Sequence, residues 1–306
     1  MLARAKSRQH ACKRVGAEST RIDREFEMFA CTCHIAAGVA QRADRPASEI
    51  AQWRTLMAAR RTTVKSFQSA FGRVLMQARV QTLKAIEQFH PDAFKSAAAL
   101  AQKAAAAQLL FNLADFIVSF HGAMENQQKA ALATAGQQLF DEMKRDDAFA
   151  YPPAKVLEYL RARQNKLTGV PQEVYDRVKA SLEEGLNAGD TQAQLASRVK
   201  GIFNDIADGA AHTIAMTETS AAYGAGRAES MKQAGVQFKA WLTSGNGNVR
   251  ASHLQAGLEY PYDRPIPVDD PFIVDGEALM YPGDDAGSAG NVINCHCVSV
   301  AVAAPK

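Results

Sequence analysis

The sequence predicts an α+β fold: a long N-terminal helical region followed by a small C-terminal α/β module with short antiparallel strands. Three observations predict it. Apolar residues recur at three- and four-residue steps through most of the chain from about residue 49 to 234. Beyond Gly235 the period drops to two. Closely spaced proline and glycine turns then follow, among them Asp275-Gly276. The first period is that of helices packed by one face, the second that of strands.

Residues 1–48 read as a basic N-terminal arm and a short helix, with Arg4, Lys6, Arg8, Lys13 and Arg14 crowded together. Such an arm can neutralise phosphates, so these five residues are the candidate DNA contacts. The formal net charge of the whole chain is only +3. No basic stripe is expected outside the arm, which argues against a free-standing DNA-binding protein. Hydrophobic residues make up 47% and charged residues 22%, ordinary values for a globular protein. No apolar run follows the basic start, so no secretory signal is expected. The most apolar segment, 109–120, is broken by Asn112 and Asp115 and is too short to span a bilayer. Five cysteines, an odd number, argue against a disulfide framework.

Residues 49–150 form the long helical region. The first helix runs from about Glu49 to Phe89, with Trp53, Met57, Val64, Phe67, Phe71, Val74 and Ala78 as a narrow stripe suited to one partner helix. At 1.5 Å per residue it is about 60 Å long. His90-Pro91 ends it and Asp92 caps the next helix. That second helical stretch reaches about residue 144, with interruptions expected at Gly122 and Gly136. Lys144 to Asp147 and Pro152-Pro153 mark a turn, and the boundary is placed there.

Residues 151–306 form the third region, helical to about 234. Val174, Val178, Leu182 and Leu186 make a stripe closed by Gly189. Thr191 with Gln194 has the spacing of a capping box, and Leu195, Val199, Ile202 and Ile206 are the expected buried face of the helix it opens. A helix of small residues follows, from Ala210 to Ala234, and Gly235 stands where a C-cap is expected. Val236 to Thr243 alternates as a strand. Asn248 is expected to cap a short helix ending at Gly257. Asp275-Gly276 is a hairpin signal, and Val292 to Val302 reads as the last strand.

Two Cys-x-Cys pairs are candidates for chemistry. Residues two apart on a strand share a face, whereas on a helix they diverge. Cys295 and Cys297 are expected to converge, while Cys31 and Cys33, in a helical pattern, are not. His253 lies in the short helix within reach of the closing strand. With Cys295 and Cys297 it forms a possible metal or structural cluster of the donor types zinc prefers. The fourth ligand would be Asp284, Asp285, His296 or water. The alternative is two buried thiols beside a hydrogen-bonded histidine. No cofactor is required by the pattern, and zinc is the one it admits. Arg250 and His253 share a helix face, and with Glu218 they suggest a metal- or histidine-dependent nuclease as the enzymatic alternative. The simpler expectation is that Glu218 is a buried carboxylate paired with Arg250 or Arg227.

A series of short motifs stands in one order. It comprises Leu157-Glu-Tyr-Leu-Arg-Ala-Arg, Leu182-Glu-Glu-Gly with Gly189-Asp-Thr, Ile214-Ala-Met-Thr-Glu-Thr, Gly235-Val, Lys239-Ala-Trp-Leu-Thr, Val249-Arg-Ala-Ser-His, Phe272, Pro282-Gly-Asp and Asn291-Val-Ile-Asn-Cys-His-Cys. Over roughly residues 155–300 this resembles the phage head-morphogenesis family, the minor head proteins similar to the F protein of phage Mu. Glu218, Arg250 and Asn294 are the polar residues that fall in its motifs. His296 stands where the family usually has arginine, as does Met216, and Asn246 stands where an aspartate is common. The resemblance implies a minor capsid protein, not an enzyme, inside the virion or, during assembly, in the host bacterial cytoplasm. It implies the portal protein as partner, with major capsid or scaffolding protein and packaged double-stranded DNA as further contacts, and no membrane. It also implies help in head assembly, DNA packaging or delivery. Some relatives carry a toxin domain after this module, and none is expected in this sequence.

Overall fold

The computed structural model describes residues 47–89, 106–108, 110–243 and 248–302. All of them belong to one compact unit, residues 34–306. The basic arm, Cys31, Cys33, Asp92 and Asn246 lie outside the described residues.

Helix α1 spans Ala47–Glu87. Every residue of the expected stripe is buried except Trp53, which is half-buried. The buried surface is wider than the stripe, because Leu56, Arg60, Ala70, Leu75, Thr82 and Ile86 join it. The reason is that α1 meets three helices rather than one: α2 (Leu113–Glu142), α5 (Gln192–Asp208) and α6 (Ala210–Gln233).

The outer face of α1 corrects an expectation. From Arg54 to Arg73 every exposed residue is arginine, lysine, serine, threonine or alanine. No acid lies between Glu49 and Glu87. A basic stripe of Arg54, Arg61 and Lys65 therefore exists outside the N-terminal arm, about 16 Å long at the helical rise, with Arg73 about 100° round the helix from it.

Helix α2 opens on Asn112, whose side-chain oxygen accepts from the Asp115 amide at 3.1 Å. It runs unbroken through Gly122 and Gly136, contrary to expectation. Gly136 is a packing position: a Cβ there would fall 2.0 Å from the Phe149 ring. Residues 143–152 turn back along α2, with Lys144 at φ 55°. Helices α3 (Pro153–Leu167) and α4 (Gly169–Ala188) follow. Residues on both sides of position 150, such as Phe120, Leu132, Leu160 and Val178, share one hydrophobic core. Gly189 closes α4 at φ 78° and Thr191 caps α5 in a full capping box. On α5 it is Phe203 that is buried, with Ile202 only partly so.

Helix α6 lies at the centre. Its small residues admit close backbones, since a Cβ on Gly226 would lie 2.5 Å from the Leu132 carbonyl oxygen of α2. On Gly224 it would lie 2.6 Å from the Pro282 carbonyl oxygen. The helix ends in a Schellman motif, with Val236 N–H donating to Met231 O and Gly235 N–H to Lys232 O.

The C-terminal module has a three-stranded antiparallel sheet in the order β2 (Ile266–Pro267), β1 (Phe238–Leu242), β5 (Val298–Val302). Both faces of β1 are covered. Ala240 and Leu242 pack with Leu56 and Met57 of α1, and Trp241 packs with Phe272 and the two cysteines. Strands β3 (Phe272–Val274) and β4 (Glu277–Leu279) form the expected hairpin, with Asp275 at φ 52° and Gly276 at φ 78°. These positive angles suit a type I′ turn.

Two boundaries differ from expectation. Helix α7 covers Ala251–Glu259, follows Arg250 rather than Asn248 and continues through Gly257. The last strand starts at Val298. Before it come a short helical turn, α8 (Ala289–Val292), and an irregular segment, 293–297.

Candidate functional site: a buried cysteine–histidine cluster

Cys295 and Cys297 do not lie on a strand, yet their side chains converge. Asn294 adopts φ 54°, the left-handed region that asparagine tolerates better than most residues. Its N–H donates to Thr217 Oγ1 at 2.9 Å, tying the turn to α6. Cys295 and Cys297 are then both buried, with His296 between them only half-buried.

His253, carried by α7, completes the cluster. Its Nδ1 lies 3.6 Å from Cys295 Sγ and 3.5 Å from Cys297 Sγ. His253 is only 1% exposed and meets the Trp241 ring edge to face, centroids 5.5 Å apart. Its Nε2 is buried with no hydrogen-bond partner among the described residues. The Cys295 thiol is held well below its ordinary range by the hydrogen bond with Cys297 and by His253, against the effect of burial. Among the described residues these are the three histidine, cysteine or acidic groups whose ligand atoms come close enough for one ion.

The backbone of the cysteine segment is held from α1. Arg60 donates to Cys297 O and Cys295 O, both at 3.3 Å. Trp53 Nε1 donates to His296 O at 3.1 Å. Three consecutive carbonyls thus take their donors from one helix. Arg60 also donates to Ser220 Oγ on α6, and Ser220 Oγ donates to Cys295 O. Burial pulls the Arg60 guanidinium below its usual value, and the neighbouring Cys295, Tyr223 and Cys297 oppose that pull.

The other sequence candidates serve elsewhere. Glu218 is buried and pairs with Arg163 of α3, not with Arg250 or Arg227. It also accepts from Gln128 Nε2 at 2.6 Å. Arg227 pairs instead with Glu142 at 2.9 Å. Arg250 donates to Ile293 O, at the start of the cysteine segment. Asp284 accepts from the amides of Met280 at 2.6 Å and Ala286 at 3.1 Å, and Asp285 pairs with Arg163. His296 has its pKa pushed down to about 4, first by burial and then by Arg60, so it is neutral at pH 7. Of the two positions where the resemblance implies arginine, one thus holds a neutral histidine and the other a buried Met216. A guanidinium reaches the cysteine segment from Arg60 instead.

Arg60 and Arg163 were not singled out from the sequence, although a signal existed. Arg60 stands three residues after Met57 and four before Val64, on the apolar stripe. Arg163 stands in the same relation to Leu160 and Leu167. An arginine at a core position of an amphipathic helix needs a buried partner.

By its fold the chain is a packed helical body joined to a small α+β module that closes around a buried cysteine pair. Residues 176–300 match the model of the family described as Phage Mu protein F like protein. This segment, less than half of the chain, is similar to that phage head-morphogenesis family. No curated protein and no solved structure matches it. No helix among the described residues is long and apolar enough to cross a membrane.

Proposed function

We propose that the chain is a non-enzymatic minor head protein that binds inside the procapsid near the portal and assists head assembly, DNA packaging or delivery. The observation that carries this reading is the Mu F-like segment packed on a long helix that faces solvent with a basic, hydroxyl-rich surface. The portal protein is the main partner in this reading. Major capsid or scaffolding protein is a further partner, and packaged duplex DNA is the polyanion.

The placement of the nuclease candidates supports the non-enzymatic side. His253 is sealed from solvent, Glu218 is neutralised by Arg163, and Arg250 is engaged with a backbone carbonyl. A phosphodiester needs an accessible acid or base within hydrogen-bond reach. In purified procapsids of the phage, mass spectrometry is expected to find this chain together with the portal protein, at low copy. Procapsids that contain portal but never this chain would defeat the reading.

The DNA contact has its own test. Arg54, Arg61, Lys65 and Arg73 make no ion pair among the described residues, and serines and threonines between them can also donate to phosphates. Each phosphate neutralised contributes about 0.9 to the slope of log affinity against log salt. Changing all four cations to glutamine is expected to flatten the salt dependence of duplex-DNA binding by about 3 to 4. An unchanged slope would remove α1 from the DNA interface.

A further inference from the structure

We infer that His253, Cys295 and Cys297 bind one zinc ion, and that this ion locks the cysteine segment onto α7. The inference is independent of the head-protein reading.

The argument begins with a count of hydrogen-bonding capacity. An imidazole Nδ1 offers either one lone pair or one proton. Here both sulfurs approach the same Nδ1, at 3.6 and 3.5 Å. One such bond can be satisfied, but two compete. A shared cation removes the competition. Zinc bonds to thiolate sulfur at about 2.3 Å and to imidazole nitrogen at about 2.0–2.1 Å in a tetrahedron. The sulfur-to-nitrogen edge of that tetrahedron is therefore about 3.6 Å. The two separations are edges of that length. The three ligand atoms all lie within 4.8 Å of one another.

The chemistry of the donors selects the metal. Two thiolates and an imidazole favour zinc over magnesium, calcium or manganese, which prefer oxygen. Two thiolates also balance the double charge, so the buried site is neutral as a whole, which avoids an unpaired charge in the interior. The fourth position is not filled by the carboxylates considered from the sequence. Asp284 is occupied by two backbone amides and Asp285 by Arg163. His296 is outside the cluster. Among the described residues no fourth side chain joins the three, and the inference assigns that position to water.

The mechanical consequence follows from the backbone bonds. The carbonyls of residues 295, 296 and 297 are held by α1, and their side chains by the ion and α7. Zinc thus ties α7 to the long helix through five residues: Trp53, Arg60, His253, Cys295 and Cys297.

The test uses the full chain, purified under reducing conditions. Elemental analysis is expected to give one zinc per chain. Adding a strong chelator is expected to lower the thermal midpoint by several degrees, and zinc is expected to restore it. Cobalt(II) exchanged into the wild-type protein is expected to show a thiolate-to-cobalt charge-transfer band. That band needs no variant, so it stands even if Cys295→Ser or Cys297→Ser fails to fold. His253→Gln, where folded, is expected to weaken zinc binding by at least tenfold. The inference is overturned if zinc stays substoichiometric after incubation with the metal and no charge-transfer band appears. It is equally overturned if the folded protein, purified under reducing conditions, still carries a Cys295–Cys297 disulfide.

Discussion

Replacing Arg60 with leucine lowers the unfolding free energy by about 3–5 kcal/mol, the largest loss expected from any single change on α1. The guanidinium is the donor for two buried carbonyls, Cys295 O and Cys297 O, and for Ser220 Oγ. An unsatisfied buried acceptor costs about 1–3 kcal/mol. The two carbonyls lose their α1 donor together, and Cys295 O keeps a second one, from Ser220. Arg60→Lys recovers little, because an ammonium lacks the planar fork that spans both carbonyls. Arg54→Leu, on the exposed side of the same helix, is the control and changes stability by no more than about 0.5 kcal/mol. Urea denaturation of the three variants checks the order. A loss below about 1 kcal/mol for Arg60→Leu would show that the clamp is dispensable.

The clamp also shows where sequence reading reached its limit. Helices α1, α4 and α5 were legible, because long periodic stripes have a single low-energy way to be buried. The hairpin was legible from Asp275-Gly276, because few residue pairs adopt two successive positive φ angles. Two glycines read as breaks are close-approach positions instead. Gly136 and Gly257 looked like breaks, yet each is where another group comes close: Phe149 in one case and the Thr243 methyl, 2.8 Å from a hypothetical Cβ, in the other. Lack of a side chain can serve backbone freedom or close approach, and only the three-dimensional neighbour tells which. The closing strand was misread at its start because Val292, Ile293 and Val298 have strand propensity while the left-handed Asn294 between them breaks the ladder. The cysteine–histidine cluster was legible from residue type alone. Its clamp was not, because charges on a helix are read as solvated unless their position on the stripe is weighed.

The same reasoning applies to the second buried arginine, and here a double-mutant cycle decides. Arg163 of α3 reaches Glu218 of α6 and Asp285 of the loop before α8. Arg163 is 3% exposed and Glu218 1%, whereas Asp285 is 19% exposed and partly solvated. Burial alone would lower the Arg163 pKa, but Glu218, Tyr159 and Asp285 outweigh it and hold the group charged. Removing Arg163 leaves Glu218 as an uncompensated buried charge, and removing Glu218 leaves Arg163 with only the partly solvated Asp285. Arg163→Leu and Glu218→Leu are therefore each expected to cost about 3–5 kcal/mol. The double variant leaves no such charge on α3 or α6. It is expected to cost far less than the sum, so the two losses are strongly non-additive. Gln128 then loses its acceptor, which keeps the double variant below wild type by about 1–2 kcal/mol. Additive single and double losses would mean that the pair contributes no coupling. In that case α3 is held to α6 by Tyr159, Leu160 and Leu167, which are buried in the same core, and the polar triad only tolerates its burial.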